Sequence, residues 1–336
     1  MRGATESAAA GLPRWKQRPP GSNWGDFGPD DRLGRLNLLT PARRRAAVRE
    51  VREGLTFCLS LPLDVGAGLN ASRPRPQLAA LPRAGRLKFN LCACEVIHPG
   101  LTDVMCDDQV TMATQYSTQW DALCHVGGLF DADGDGTPEI RYYNGFPAMA
   151  SFESAELGIQ HMAACGVQGR GVLIDLAAHF GPGRTAVGYD ELMQVLRADG
   201  VTVAAGDLVC LHTGFAQALL DGERDPQALE NIGAVLEPRD PRLLQWITDS
   251  GLAALIADNV AVEARATMPA PDYVGSMLPL HEHCLFKLGV HLGEMWHLTP
   301  LAQWLRARGR HHFLLTAPPL RLPGALGSPV TPIATV

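Results

Sequence analysis

In the second half of the chain, short apolar runs alternate with amphipathic stretches. GVLIDLAAHF (171–180), DLVCLHTGF (207–215) and LAALIADN (252–259) are close to continuously apolar, the pattern of strands buried on both faces. Between them lie YDELMQVLRADG (189–200) and DPRLLQWITDSG (240–251), whose apolar residues recur at helical spacing. Each ends on a glycine, Gly200 or Gly251, and the second opens with Asp240 as N-cap and Pro241 in the first turn. LTPLAQWLRARG (298–309) predicts a further helix, and HHFLLTAPPLRL (311–322) starts the last predicted strand. Strand, helix, strand, helix, strand is the order of an α/β protein.

The first half is less regular. TPARRRAAVREVRE (40–53) predicts a helix capped by Thr40, and TFCLSLPLDV (56–65) a strand that Pro62 places at an edge or an end. Residues 67–86, rich in Pro, Arg, Gly and Ala, read as a loop, and KFNLCACEVIHPG (88–100) as a strand. Gln115, Ser117, Gln119 and Asp121 alternate, so an extended chain turns all four one way. DALCHVGG (121–128) then predicts a short helix with Asp121 and His125 on one face. A flexible polar tail is expected up to about Ser22, leaving 23–336 as one domain.

Composition narrows the partners. A formal charge of -6 argues against nucleic acid, which asks for a basic excess. No apolar run reaches the ~18 residues of a membrane span, and the N-terminus lacks a signal-type apolar core, so a cytoplasmic protein is expected. The eight cysteines show no C-x-x-C spacing and are expected to be buried free thiols.

Three stretches carry candidate chemistry. In TQYSTQWDALCHV (114–126), Asp121 and His125 suit metal binding or proton transfer, while Gln115 and Gln119 offer only neutral amide oxygens. The same residues also fit a structural role, with the glutamines capping strand ends and Asp121 capping a helix. LPLHEHCLFKLGVHLGEMWHL (278–298) gathers His281, Glu282, His283, His291, Glu294 and His297, with His281 and His283 spaced as on a strand or loop. Asp131, Asp133, Asp135 and Gly136 match the opening of a calcium loop, but Tyr142 stands where a bidentate Glu belongs and Pro138 interrupts it; a solvated acidic turn is expected. Asp175 and His179 are candidates for a buried pair, and His212 for a core histidine. No G-x-S-x-G, G-x-G-x-x-G or P-loop occurs, so serine-hydrolase and nucleotide readings have no support.

Gln115 to His125, Q-Y-S-T-Q-W-D-A-L-C-H, resembles the signature H-x-G-T-H-x-D-x-P-x-H of the cyclase family, which includes bacterial kynurenine formamidase and isatin hydrolase. Thr118, Asp121 and His125 match. NWGDFGPDDRLGRLNLLTP, YYNGFPA, LPLHEHCLFKLGVHLGE and APPLRLPGALGSPVTPIA extend the resemblance from residue 23 to the end, to a longer-chain branch with a TQWDAL-type motif. It implies an α/β swivelling β/β/α fold with a mixed, barrel-like central sheet and peripheral helices, assembled as a homodimer or homotetramer. It also implies a divalent metal, zinc or manganese, used to hydrolyse an amide, formamide or cyclic amide or lactone bond in a small substrate. Kynurenine formamidase, an arylformamidase of tryptophan catabolism, is the activity most readily carried over.

Carried over by position, Asp121 is the retained metal ligand, His125 the acid/base, and His281 with Glu294 the later ligand pair. Two family histidines are Gln115 and Gln119 here, and the motif proline is Leu123. With amide oxygens as the remaining ligands, the site should bind zinc less well and turn toward manganese, magnesium or calcium, or bind no metal. Trp120 and Phe146 are the expected substrate-lining aromatics. A metal-free cyclase or dehydratase using His125 and Asp121, and a non-catalytic small-molecule binder, remain as alternatives.

Overall fold

The apolar runs of the second half form the centre of one mixed nine-stranded sheet. The computed structural model describes residues 14–65, 72–222, 225–264 and 272–336. The strands of this sheet are β1 (Thr56–Cys58), β2 (Gln119–Asp121), β3 (Gln168–Asp175), β4 (Leu208–His212), β5 (Ala254–Ala257), β6 (His291–Glu294), β7 (His312–Thr316), β8 (Gly327–Pro329) and β9 (Ile333–Thr335). Their order is β1-β9-β7-β3-β4-β5-β6-β2-β8. The run β3-β4-β5-β6 is parallel, and the strands on either side of it join antiparallel.

The sheet curls, and the chain connectivity requires it. β9 and β8 stand seven places apart in the order, roughly 34 Å if the sheet were flat at ~4.8 Å per strand. Only residues 330–332 join them, a reach of about 15 Å at ~3.8 Å per Cα step. The curl is closed by hydrogen bonds beyond β1: the Leu59 N–H donates to Pro332 O (2.8 Å), the His297 N–H to Leu59 O (2.8 Å) and the Leu61 N–H to the Thr118 hydroxyl (2.9 Å).

Helices α1 (Pro41–Val48), α2 (Tyr189–Asp199), α3 (Pro241–Ser250) and α4 (Thr299–Arg306) pack outside it. Asp240 caps α3 by accepting from the N–H groups of Arg242 and Leu243, and Gly200 and Gly251 end α2 and α3 in left-handed conformation, as their sequence signals predict. Helix α1 stops at Val48, short of the predicted 53, because Glu53 and Gly54 turn their N–H groups to the Val336 carbonyl.

Several local expectations are corrected. DALCHVGG is not a helix: Asp121 belongs to β2, held between β6 and β8, and the Ala122 N–H continues that ladder to Leu326 O. GVLIDLAAHF is strand only to Asp175, whose carboxylate caps a short helix, Leu176–Phe180. HHFLLTAPPLRL does not start the last strand, since β8 and β9 follow. In the predicted loop 67–86, residues 66–71 lie outside the described residues, while Gln77–Ala80 forms a ladder with Asp108–Thr111. KFNLCACEVIHPG breaks at left-handed Asn90 (φ 54°) into a two-residue strand and a helical turn, Ala93–Val96. Cys92 and Cys94 are joined there in a disulfide with Cα atoms 5.1 Å apart, and Cys58 and Cys106 are exposed, so the cysteines are not uniformly buried thiols.

Of the expected tail, residues 1–13 lie outside the described residues, and the stretch that follows is docked. Trp15 packs edge-on against Trp24, which packs in turn on Phe286, and the Lys16 N–H donates to Ala132 O (2.7 Å). Gly34 (φ 59°) meets Gly289 so closely that a Cβ would fall 2.0 Å from the Gly289 carbonyl, fixing this segment to the 281–289 turn.

Candidate metal centre

Gln119 and Asp121 leave β2 on one face, and Trp120 leaves it on the other, as strand alternation dictates. Gln119 is paired across the ladder with Glu294 of β6, which brings the two side chains together. His281 arrives from a different direction. It ends the turn Pro279–His281 and leads into a π-helical segment, Glu282–Leu288, rather than the expected strand or loop. Its Nε2 lies 3.4 Å from Glu294 Oε1 and 3.8 Å from Asp121 Oδ2. One ligand atom from each of Asp121, His281 and Glu294 falls within 4.8 Å of the others, and all three residues are buried. The Gln119 amide nitrogen donates to Asp121 Oδ1 (3.3 Å) and Glu294 Oε2 (3.2 Å). His125 completes the group, its Nε2 3.9 Å from Asp121 Oδ1 and its side chain 23% exposed.

One residue of the centre has no signal in the sequence. Glu263, fully buried, accepts from His281 Nδ1 (2.6 Å) and from the N–H groups of His281 and Leu280 (3.0 Å each). It thereby fixes the ring through Nδ1–H and turns Nε2 toward Asp121 and Glu294, where loss of the second proton would free a lone pair for a metal. The backbone that delivers it is strained: Ala261 (φ 70°) and the β-branched Val262 (φ 59°) are both left-handed, as is Met295 (φ 59°) beside Glu294. The Ala261 N–H bonds to the Glu294 carboxylate. Left-handed non-glycine residues cost on the order of 1–3 kcal/mol each and persist where the surroundings fix them.

The electrostatics are those of a pocket rich in buried carboxylates. Burial raises the Asp121 carboxyl; His125 opposes this and Glu294 adds to it. Burial also raises Glu294, but its hydrogen bond and charge contact with His281 hold it below the usual range. Burial lowers the His281 imidazole, yet bonds to Glu263 and Glu294 outweigh that and push it up to about 10. Three carboxylates thus face one imidazole, and the buried Asp121 Oδ2 has no hydrogen-bond partner among the described residues. An orphaned oxygen beside an oriented imidazole and a second carboxylate fits a divalent ion.

A family model described as "Putative cyclase" matches residues 58–264. The crystal structure of a novel cyclase superposes with a TM-score of 0.75 at 31% identity, over 95% of this chain and 100% of that one. The chain belongs to the cyclase family. The fold is also that of isatin hydrolase A from Labrenzia aggregata, bound to benzyl benzoate (TM-score 0.53, 15% identity, 90% and 98% covered), and of isatin hydrolase A from Ralstonia solanacearum (0.53, 14%, 88% and 95%). No curated protein matches the chain.

In this cyclase-family chain the signature positions do different things. Gln119 lies in the centre, with its amide nitrogen as donor. Gln115 sits in a turn before β2, where its Oε1 accepts from the Thr114 hydroxyl (2.9 Å) and its nitrogen rests against Gly327. Of the four histidines between 278 and 298, His281 alone reaches the cluster through its side chain. His283 bonds the Thr248 hydroxyl (2.9 Å), His291 the Asp121 backbone carbonyl (2.8 Å) and His297 the Gln217 amide (3.1 Å). Trp120, expected to line a substrate pocket, points into the core: it is wholly buried, packs on Trp296 and donates to Ala317 O (2.8 Å). Phe146 borders a cavity of about 210 Å³ with Cys124, Tyr142 and Met149, under the Arg14 guanidinium (4.0 Å). In the acidic turn the Asp131 carboxylate is taken up by the N–H groups of Gly134, Asp135 and Gly136. The expected Asp175–His179 pair does not form: His179 bonds Asp199 (3.0 Å), and Asp175 bonds His212 (2.7 Å).

Proposed function

We propose that this cyclase-family chain is a metal-dependent hydrolase of an amide, formamide or cyclic amide or lactone bond in a small substrate. The observation that carries the reading is the buried set Asp121, His281 and Glu294, in which Asp121 Oδ2 accepts no hydrogen bond from the described residues. These three would hold the ion, His281 through Nε2. Two carboxylates and one imidazole are harder donors than a histidine-rich set, which narrows zinc's advantage and makes manganese a fitting ion. Bound there, a divalent ion polarises a carbonyl and acidifies water. Gln119 steadies both carboxylates. His125, beside Asp121 and partly open to solvent, takes a proton from the attacking water and returns it to the leaving nitrogen or oxygen.

The test is elemental analysis of protein purified without added metal or chelator, followed by turnover of aryl formamides and cyclic amides with and without EDTA. About one divalent ion per chain, and activity lost in EDTA and restored by manganese, supports the reading. Protein that stays empty after incubation with manganese and zinc overturns it.

A second reading has one observation in its favour. The Gln119 amide nitrogen bridges Asp121 and Glu294, so hydrogen bonds alone can close the cluster. A metal-free cyclase or dehydratase built on His125 and Asp121 would keep full turnover in EDTA.

A further inference from the structure

A polar cavity of about 240 Å³ lies at the amino edge of the parallel strands. Arg43, Arg49, Glu50 and Arg52, on α1 and the turn after it, form one wall. Arg170 of β3 and Asp207, just ahead of β4, form the other. Glu294 ends β6 at the carboxyl edge of the same parallel run, so the cavity and the metal centre stand at opposite ends of these strands.

The cavity gathers like charge. Four guanidiniums line it against two carboxylates, which leaves two positive charges in excess. Asp207 is taken up by both prongs of Arg170 (2.9 and 2.7 Å) and by the Ala204 N–H (2.7 Å). Glu50 meets Arg52 only at 4.0 Å. Arg310 adds a further charge behind this wall: its Nη2 donates to Glu50 O (2.6 Å), and its buried Nη1 has no partner among the described residues. Arg43 makes no side-chain bond among the described residues, although it stands in the first turn of α1, where the helix dipole disfavours a cation. That turn holds no acidic residue, and Arg44 and Arg45 follow directly. Arg49 reaches only the Arg45 carbonyl, at 3.5 Å. A solvated helix face gains from mixed signs at i, i+4, and α1 carries one sign alone. Unpaired guanidiniums converging on a cavity point to an anion supplied from outside the chain.

We propose that this cavity is a second binding site, separate from the metal centre, for a small dianion: a phosphate ester or a dicarboxylate. The excess of two positive charges sets the valence of the ligand. The planar fork of arginine matches the paired oxygens of a phosphate or a carboxylate, which a lysine would meet only as a point charge. The volume suits a small molecule. Arg170, held rigid by Asp207, presents a fixed edge, while Arg43 and Arg49 close on the ligand from α1. A ligand bound there ties α1 to β3. The site needs no metal, so its fate is independent of the hydrolase reading.

The experiment is calorimetric titration of the protein as purified with phenyl phosphate, succinate and acetate, in about 0.15 M salt to screen loose surface contacts. Wild type is compared with Arg43→Gln, Arg49→Gln and the double variant, with circular dichroism as the check on folding. Both side chains are exposed, so the variants should fold; Arg43→Lys and Arg49→Lys, which keep the charge and lose the fork, serve if they do not. Wild type is expected to bind a dianion with a dissociation constant below about 1 mM, and acetate at least about 10-fold more weakly. Each glutamine substitution should weaken dianion binding about 10-fold or more, the scale of one charge-assisted hydrogen bond. Tighter binding of phenyl phosphate assigns the ligand to the phosphate esters, and tighter binding of succinate to the dicarboxylates. Three results overturn the proposal. The first is a wild type that binds neither dianion below about 10 mM. The second is a double variant that binds as well as wild type, as it would if the anion sat at the metal centre, which these variants leave intact. The third is acetate binding as tightly as the dianions.

Discussion

Glu263 is the residue whose role is argued from geometry alone. Its carboxylate spans two backbone N–H groups and the imidazole of His281, so it fixes both the place and the tautomer of that side chain. Glu263→Gln keeps the shape and removes the charge. Metal affinity should fall about 10–100-fold, the usual cost of losing a partner behind a ligating histidine, with little change in the unfolding midpoint; calorimetric titration with manganese reads it, and unchanged affinity in a folded variant would remove the role. His125→Ala should behave oppositely. Metal content stays while turnover drops ~10²–10⁴-fold, and near-normal turnover would take the acid/base assignment away. Asp121 was legible because it stands in the family motif, and His281 and Glu294 because the later LPLHEHCLFKLGVHLGE stretch carries the resemblance too. Glu263 was not: it stands 18 residues before His281, beyond any helical or strand spacing, and only the two left-handed residues ahead of it turn it inward.

At the scale of elements, the carboxyl ends of β3 and β4 hold a second charged group, outside the metal centre. Asp175 accepts from His212 (2.7 Å) and from Arg306 of α4 (2.9 Å), and His212 bonds the Thr299 hydroxyl (3.0 Å). Burial works against both charges, but their bond lowers the Asp175 pKa and raises that of His212. The His212 contribution is complete below its unfolded value of ~6.5 and is lost as pH rises through its raised folded value. The Asp175 contribution is complete above ~3.9 and is lost as pH falls through its depressed folded value. Together they stabilise most between about pH 4 and 6.5. The difference in unfolding free energy between wild type and His212→Gln should be largest in that window, on the order of 3 kcal/mol for breaking a buried pair, and shrink toward pH 9. A difference that grows with pH would contradict the pairing. The strands and helices framing this group were legible, since each is capped and bounded locally. The elements misread were those whose partners are remote: Asp121 is strand because Gly327 pairs with it, and Gln77–Ala80 because of Asp108–Thr111.

The whole molecule is a sheet whose two margins are tied by three residues. In a flat sheet β9 would lie far from the metal centre, and losing it would leave Asp121, His281 and Glu294 in place. In the curled sheet the path is short: the Leu59 N–H donates to Pro332 O, the Leu61 N–H donates to the Thr118 hydroxyl, and that hydroxyl donates to Met295 O (2.6 Å), next to Glu294. β1 has β9 as its one partner in the sheet, and Ala334 and Val336 are fully buried. Ala334→Asp, which places a carboxylate in that seam, should cost several kcal/mol, the scale of an unpaired buried polar group. A chain ended at Pro332 should lose more. In both, thermal unfolding followed by far-ultraviolet dichroism and manganese binding followed by titration should fail together, because one closed sheet carries the seam and the centre. A variant that melts early yet binds manganese with wild-type affinity at low temperature would mean that the seam and the centre are separable, and the closure through residues 59–61 would then not be what holds β2 against β6.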